Sequence, residues 1–253
     1  MTLKSDFNPN TAKGKIKLLI PNIFTALSLG TALIALNFIM DGSYYTTAWL
    51  ITLAIILDGC DGKIARLLGT TSRFGSLFDT IADFVAFGIV PAFLVFRFSL
   101  YRFNFAGAVI SLIYVFCGAF RLIRYSLKHH EDSTKKPFTG LPIPAAAGLM
   151  SSMILTFHSH FSLPVHHFLL SPLMLFSSFL MISHWEYPPL EKDILKSKIC
   201  KAILVIILII IASAFKHLPL LYLLLISSYI IYGIVLRLIT PAPNNEKSTR
   251  TSG

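Results

Sequence analysis

The chain has 253 residues, 55% of them hydrophobic and only 13% charged, with a mean hydropathy of +0.70. Ordinary soluble domains carry roughly 25% charged residues, so this composition excludes a soluble fold and implies one all-α domain embedded in a bilayer. The formal net charge of +10 is read as basic loops facing anionic headgroups, with no nucleic-acid partner expected.

The first apolar run begins near Leu18, after Lys4, Lys13, Lys15 and Lys17. It lacks a small-residue cleavage site and is long enough to span, which reads as a retained helix rather than a removed signal peptide. A span needs about 20 mostly apolar residues. Eight are expected, at approximately 18–40, 44–69, 73–98, 103–127, 141–161, 165–185, 199–215 and 218–238; the count becomes seven if the last two do not each cross. Residues 1–17 are expected to form a cytoplasmic tail, 18–240 the membrane domain and 241–253 a disordered tail.

Positive charge orients this bundle. With both termini in the cytoplasm, the inner side receives the four N-terminal lysines and Lys63, Arg66, Arg73, Arg121, Arg124, Lys128, Lys135 and Lys136. It also receives Lys192, Lys196, Lys198, Lys201, Arg237, Lys247 and Arg250, which makes 19 of the 22 lysines and arginines. Arg97, Arg102 and Lys216 fall outside. That asymmetry is the positive-inside pattern, and Tyr44, Tyr45, Trp49, Trp185 and Tyr187 stand where interfacial aromatics belong.

Cys60, Cys117 and Cys200 are widely separated and suggest neither disulfide nor zinc. His158, His160, His166 and His167 cluster without the spacing of a helical zinc site and read as a polar outer loop.

The chemistry lies in DGCDGKIARLLGTTSRFGSLFDTIADF, from Asp58. Asp58 and Asp61 are i, i+3 and Asp79 and Asp83 are i, i+4, so each pair shares a helix face, about 60° and about 40° apart. A hairpin through the polar break GTTSRFG would gather all four. Clustered carboxylates at low dielectric cannot all stay ionised without compensating charge. Hard oxygen ligands suit Mg²⁺, Mn²⁺ or Ca²⁺, and two ions sharing carboxylates would clamp a phosphoryl group. A salt-bridge network without chemistry is the competing reading, although acids in spans usually mark ion or substrate sites. Gly62 and Ala65 either let a ligand approach or let helices pack closely; spacing alone leaves both open.

This stretch resembles the signature of the CDP-alcohol phosphotransferase family, D-x-x-D-G-x-x-A-R-x8-G-x3-D-x3-D. Asp58, Asp61, Gly62, Ala65, Arg66, Gly75, Asp79 and Asp83 match every fixed position and every gap. Upstream, PNIFT from Pro21 is similar to the family's first-helix motif. FRLIRY from Phe120 and PFTGLPIPAAAG from Pro137 are similar to its serine-transferring branch in bacteria and archaea. The resemblance runs from about residue 18 to residue 150; the remaining residues carry no motif.

The resemblance implies transfer of a phosphatidyl group from CDP-diacylglycerol to L-serine, with CMP leaving, by a multi-pass enzyme of a plasma membrane whose site faces the cytoplasm. It implies two divalent ions, Mg²⁺ or Mn²⁺, with Ca²⁺ an alternative in one position. Asp58 and Asp79 would bridge them, Asp61 would complete one site, and Asp83 would complete the other and act as general base. Asn22, Thr25, Gly62, Ala65, Arg66 and Ser72 would meet the CDP moiety, and a homodimer is expected. Arg121 and Arg124, i, i+3 at the inner end of the fourth span, are candidates for the serine carboxylate, with Lys135, Lys136 and the GLPIP turn as a flexible cover. Glycerol 3-phosphate, inositol or inositol phosphate as acceptor, and a cation pathway through the aspartates, are the alternatives.

Overall fold

A computed structural model describes residues 12–68, 73–131, 138–160, 166–183, 185–187 and 218–239. The described architecture is all-helical: α1 (Ala12–Met40), α2 (Tyr44–Leu68), α3 (Arg73–Asp83), a π-helical turn (Phe84–Ile89), α4 (Val90–Phe98), a 3-10 turn (Leu100–Phe103), α5 (Asn104–Glu131), α6 (Ile143–His160), α7 (His166–Ile182) and α8 (Leu218–Ile239). A two-residue antiparallel pairing, β1 (Phe138–Thr139) with β2 (Glu186–Tyr187), ties the ends of α5 and α7 together.

Among the described residues, four stretches are long and apolar enough to cross a membrane: Leu19–Met40, Phe74–Phe98, Leu100–Leu127 and Leu218–Val235. α6 and α7 are shorter apolar helices. At 25 residues α2 also has the length of a span, but its tyrosines, threonines and aspartates dilute its hydropathy. The expected spans coincide with these helices to within a few residues, except that α1 begins six residues earlier; the expected span at 199–215 lies outside the described residues.

The α1–α2 pair is the frame of the bundle, packed together more extensively than any other two of the described elements. On α1 the buried positions are Pro21, Thr25, Ser28, Ala32, Ala35 and Ile39, alternating four and three residues apart. On α2 the inward stripe is Thr47, Ile51, Ala54, Asp58 and Asp61, with the same alternation and Asp58 half-buried. Such spacing presents one narrow face of each helix to its neighbour. Small residues at the contact let the backbones approach, as membrane helices require, and Ser28 Oγ donates to the Ala54 carbonyl across the seam at 3.0 Å. The acids therefore continue α2's packing stripe and point into the bundle.

Gly42 makes the reversal from α1 to α2. It has φ +74°; Ser43 N–H donates to Phe38 at 2.9 Å and Gly42 N–H to Ile39 at 3.1 Å. This is the two-bond glycine stop that satisfies a helix's last carbonyls. At the opposite end of the bundle from the aspartates, Thr156 Oγ1 lies 3.1 Å from the Pro219 carbonyl, holding the start of α8 beside the end of α6. α8 then runs back towards the acidic end, where it meets β2.

Candidate active site

Asp58, Asp61 and Asp79 each present a carboxylate oxygen, and the three oxygens lie within 4.8 Å of one another. The two oxygens on opposite sides of one Mg²⁺ or Ca²⁺ are about 4–5 Å apart, so the donor set and its spacing fit a hard divalent ion. Asp61 is 5% exposed; Asp58 and Asp79 are half-buried. α2 supplies one pair of acids and α3 the other, so the hairpin expected from sequence does gather them. Asp83 stands behind the trio: its carboxyl lies within hydrogen-bonding distance of Asp58, and its Oδ1 is buried with no hydrogen-bond partner. A buried acceptor oxygen left without a donor is costly, and a cation or a substrate proton would satisfy it.

Thr25 extends the site to α1. Its hydroxyl donates to Asp61 Oδ2 at 2.7 Å, with the Pro21 carbonyl a second, more distant acceptor at 3.3 Å. The backbone N–H of Gly62 also serves the Asp61 carboxylate. Two donors therefore fix the Asp61 carboxylate before any ion arrives, the arrangement by which partners behind a ligand orient it. Asn22 lies half-buried on α1, one turn before Thr25. Ser72 and the side chains of Ala65 and Arg66 lie outside the described residues.

The two arginines separate. Both sit on α5, but Arg121 continues its buried stripe of Ser111, Tyr114, Cys117 and Gly118 and is 6% exposed. Its Nε has no hydrogen-bond partner, and its guanidinium lies within electrostatic reach of Asp83, Tyr125 and Tyr229. Arg124 turns to the end of α7: Nη1 donates to the Ile182 carbonyl at 2.9 Å and Nη2 to those of Met181 and Ser183 at 3.3 Å. A cation on the last carbonyls of a helix is a C-cap. The spacing of three that suggested one shared role instead divides the pair, because Arg121 continues α5's buried stripe while Arg124 turns to the end of α7.

The GLPIP stretch is anchored rather than free. Gly140 has φ +83° and donates its N–H to the Trp185 carbonyl at 2.7 Å; Leu141 N–H donates to the Leu180 carbonyl at 3.0 Å. Leu141 and Ile143 are fully buried. A side chain at Gly140 would collide with the Met181 carbonyl and the Arg124 guanidinium, so the turn and Arg124 together close the end of α7. Burial of two apolar residues makes the described part of this segment a structural clasp, correcting the expectation of a flexible cover; Lys135 and Lys136 lie outside the described residues. Sequence reading also missed Tyr229, which no motif marks and which only the return of α8 brings near Arg121.

Comparison with known proteins accords with this geometry. The family described as CDP-alcohol phosphatidyltransferase matches residues 18–240. A CDP-diacylglycerol–serine O-phosphatidyltransferase of Helicobacter pylori is 33% identical over 226 residues, covering 86% of this chain and 90% of its own. A protein of the same name from Methanocaldococcus jannaschii is 35% identical over 187 residues, covering 74% and 81%. An archaetidylserine synthase of Methanothermobacter thermautotrophicus is 32% identical over 175 residues, covering 68% and 70%. The match embraces both acid-bearing helices, the Thr25 helix that orients Asp61 and the far helix α8, and the chain belongs to the CDP-alcohol phosphatidyltransferase family.

Proposed function

We propose that this integral membrane protein transfers a phosphatidyl group from CDP-diacylglycerol to L-serine, giving phosphatidylserine and CMP. The observation that carries the reading is the convergence of Asp58, Asp61 and Asp79, with Asp83 behind them, in a chain whose relatives bear the name of that activity. Mg²⁺ or Mn²⁺ is the proposed occupant, two ions per site with Ca²⁺ an alternative in one; bound there, such ions neutralise pyrophosphate oxygens and the charge developing on CMP. Asp58 and Asp79 would be shared between the positions, with Asp61 completing one and Asp83 the other.

The chain's own groups then divide the work. Asp83 accepts the seryl proton as the seryl oxygen bonds to the β-phosphorus and the bond to the CMP oxygen breaks. Its unpartnered Oδ1 is suited to receive that proton. Arg121 holds the serine carboxylate: a buried guanidinium with a free Nε calls for an anion, and its reach to Asp83 lets one small amino acid meet both. Arg124 positions α5 by capping α7. Asn22, Thr25, Gly62, Ala65, Arg66 and Ser72 are assigned to the CDP moiety, where Thr25, its proton given to Asp61, contributes only acceptor capacity. The substrates' mixed character favours a site at headgroup level, and the positive-inside pattern favours the cytoplasmic side of a bacterial or archaeal plasma membrane; the family resemblance supports a homodimer, with residues 1–17 and 241–253 as tails.

The test is Asp83→Asn. Transfer to labelled serine is expected to fall by about 10²–10⁴-fold, the usual contribution of a positioned base, while binding of CDP-diacylglycerol persists. Near-normal turnover would remove Asp83 from its role. Offering wild-type protein glycerol 3-phosphate, inositol and inositol phosphate beside serine checks the acceptor: CMP release is expected with serine alone.

A further inference from the structure

The helix bearing Asp79 and Asp83 changes pitch one residue after Asp83. Its π turn, Phe84–Ile89, is marked by the Val90 N–H donating to the Val85 carbonyl five residues back. The cause lies in Pro91. In an α-helix the residue-91 N–H would serve the Phe87 carbonyl, but proline has no N–H and its ring collides with the carbonyl four residues earlier. Opening the turn relieves the collision and leaves the Phe87 oxygen in need of a donor. That donor comes from α5: the Tyr114 hydroxyl, on a fully buried side chain, donates to the Phe87 carbonyl at 3.2 Å. The turn itself is buried at Ala86, Phe87 and Gly88 and packs against α1, α5 and α6. At Gly88 an added Cβ would press on the Phe84 ring at 3.2 Å, so the glycine makes room for the widened turn.

An extra residue in a helical turn rotates everything before it against everything after it by about 100°. α4 is fixed by its buried Val90, Pro91, Leu94 and Val95; the π turn therefore decides where Asp79 and Asp83 point. We propose that Tyr114 is a positioning residue for the acidic cluster, its hydroxyl bond to Phe87 holding the widened turn that aims Asp79 and Asp83 at Asp58. The inference rests on the reading that this cluster holds divalent ions.

The experiment titrates Mn²⁺ into the purified full-length protein in detergent, reading the rise in thermal midpoint, for wild type, Tyr114→Phe and Pro91→Ala. Tyr114→Phe keeps the ring and removes the hydroxyl; Pro91→Ala keeps Tyr114 but gives the Phe87 carbonyl an α-helical donor that competes with the π turn. Half-saturating Mn²⁺ is expected to rise about fivefold in each, the size of roughly one net hydrogen bond's worth of misplacement. Serine-dependent CMP release should show the same rise in half-saturating Mn²⁺, with the serine concentration dependence within twofold of wild type at saturating Mn²⁺. A variant whose metal-free midpoint falls while its half-saturating Mn²⁺ stays unchanged has lost only stability and overturns the assignment. Should Tyr114→Phe not fold, Tyr114→Leu is titrated in its place by the same criterion, because Pro91→Ala keeps the hydroxyl and tests only the widened turn. Wild-type protein that binds Mn²⁺ without serine-dependent CMP release would refute the transferase reading and leave Tyr114 to be judged on the titration; wild type without any Mn²⁺ response would overturn both.

Discussion

Arg121 and Arg124 have the same chemistry and are separated by less than one turn, yet they meet different environments. Arg121 lies within electrostatic reach of Asp83 on a buried stripe, whereas Arg124 donates to three carbonyls at the end of α7, those of Met181, Ile182 and Ser183. Lysine keeps the charge but loses the planar fork. Arg121→Lys is expected to raise the serine concentration for half-maximal rate by about tenfold or more, the size of a lost charged hydrogen bond. Its CDP-diacylglycerol dependence should stay near wild type. Arg124→Lys should instead lower the thermal midpoint and leave the serine dependence alone. Initial-rate measurements against serine, beside thermal unfolding in detergent, separate the two. At this scale sequence alone identified the aspartates, because the identity and spacing of eight residues carry a specific signal. It could not divide the arginines, since position on a helix does not reveal which neighbour lies across from it.

At the scale of elements, the turn after β1 shows how a short segment fixes two helices. Gly140 occupies a backbone conformation that costs an L-residue roughly 1–2 kcal/mol, before any collision. A methyl group there would also meet the Met181 carbonyl and the Arg124 guanidinium. Gly140→Ala is accordingly expected to lower the thermal midpoint and, like Arg124→Lys, to leave the serine dependence alone; a midpoint equal to wild type would show that the clasp is not needed. The helix of residues 73–98 was legible as one span from its apolar run. Its π turn was not, although Pro91 was the available signal: a proline inside a helix can kink, break or widen it, and the choice depends on whether a donor such as Tyr114 stands ready.

For the whole molecule, the relevant fact is that like charges from two helices meet in one partly buried cluster. Four carboxylates so placed repel one another unless a cation or a shared proton stands between them. Chelation with EDTA is expected to abolish transfer and lower the thermal midpoint, with Mg²⁺ or Mn²⁺ restoring both; an unchanged midpoint and rate after chelation would exclude a structural and catalytic ion alike. Sequence by itself determined that the chain is helical and membrane-embedded, that its acids belong to one constellation, and which family carries that constellation. Composition, apolar run length and fixed spacing along one chain are local properties, and they suffice for those conclusions. Only the tertiary structure decided that Thr25 reaches Asp61, that Arg121 comes within electrostatic reach of Asp83 while Arg124 caps the end of α7, that the GLPIP turn is a clasp, and that Tyr114 serves the Phe87 carbonyl. Each of those contacts joins residues from different helices, and which helix faces meet depends on the packing of the entire bundle.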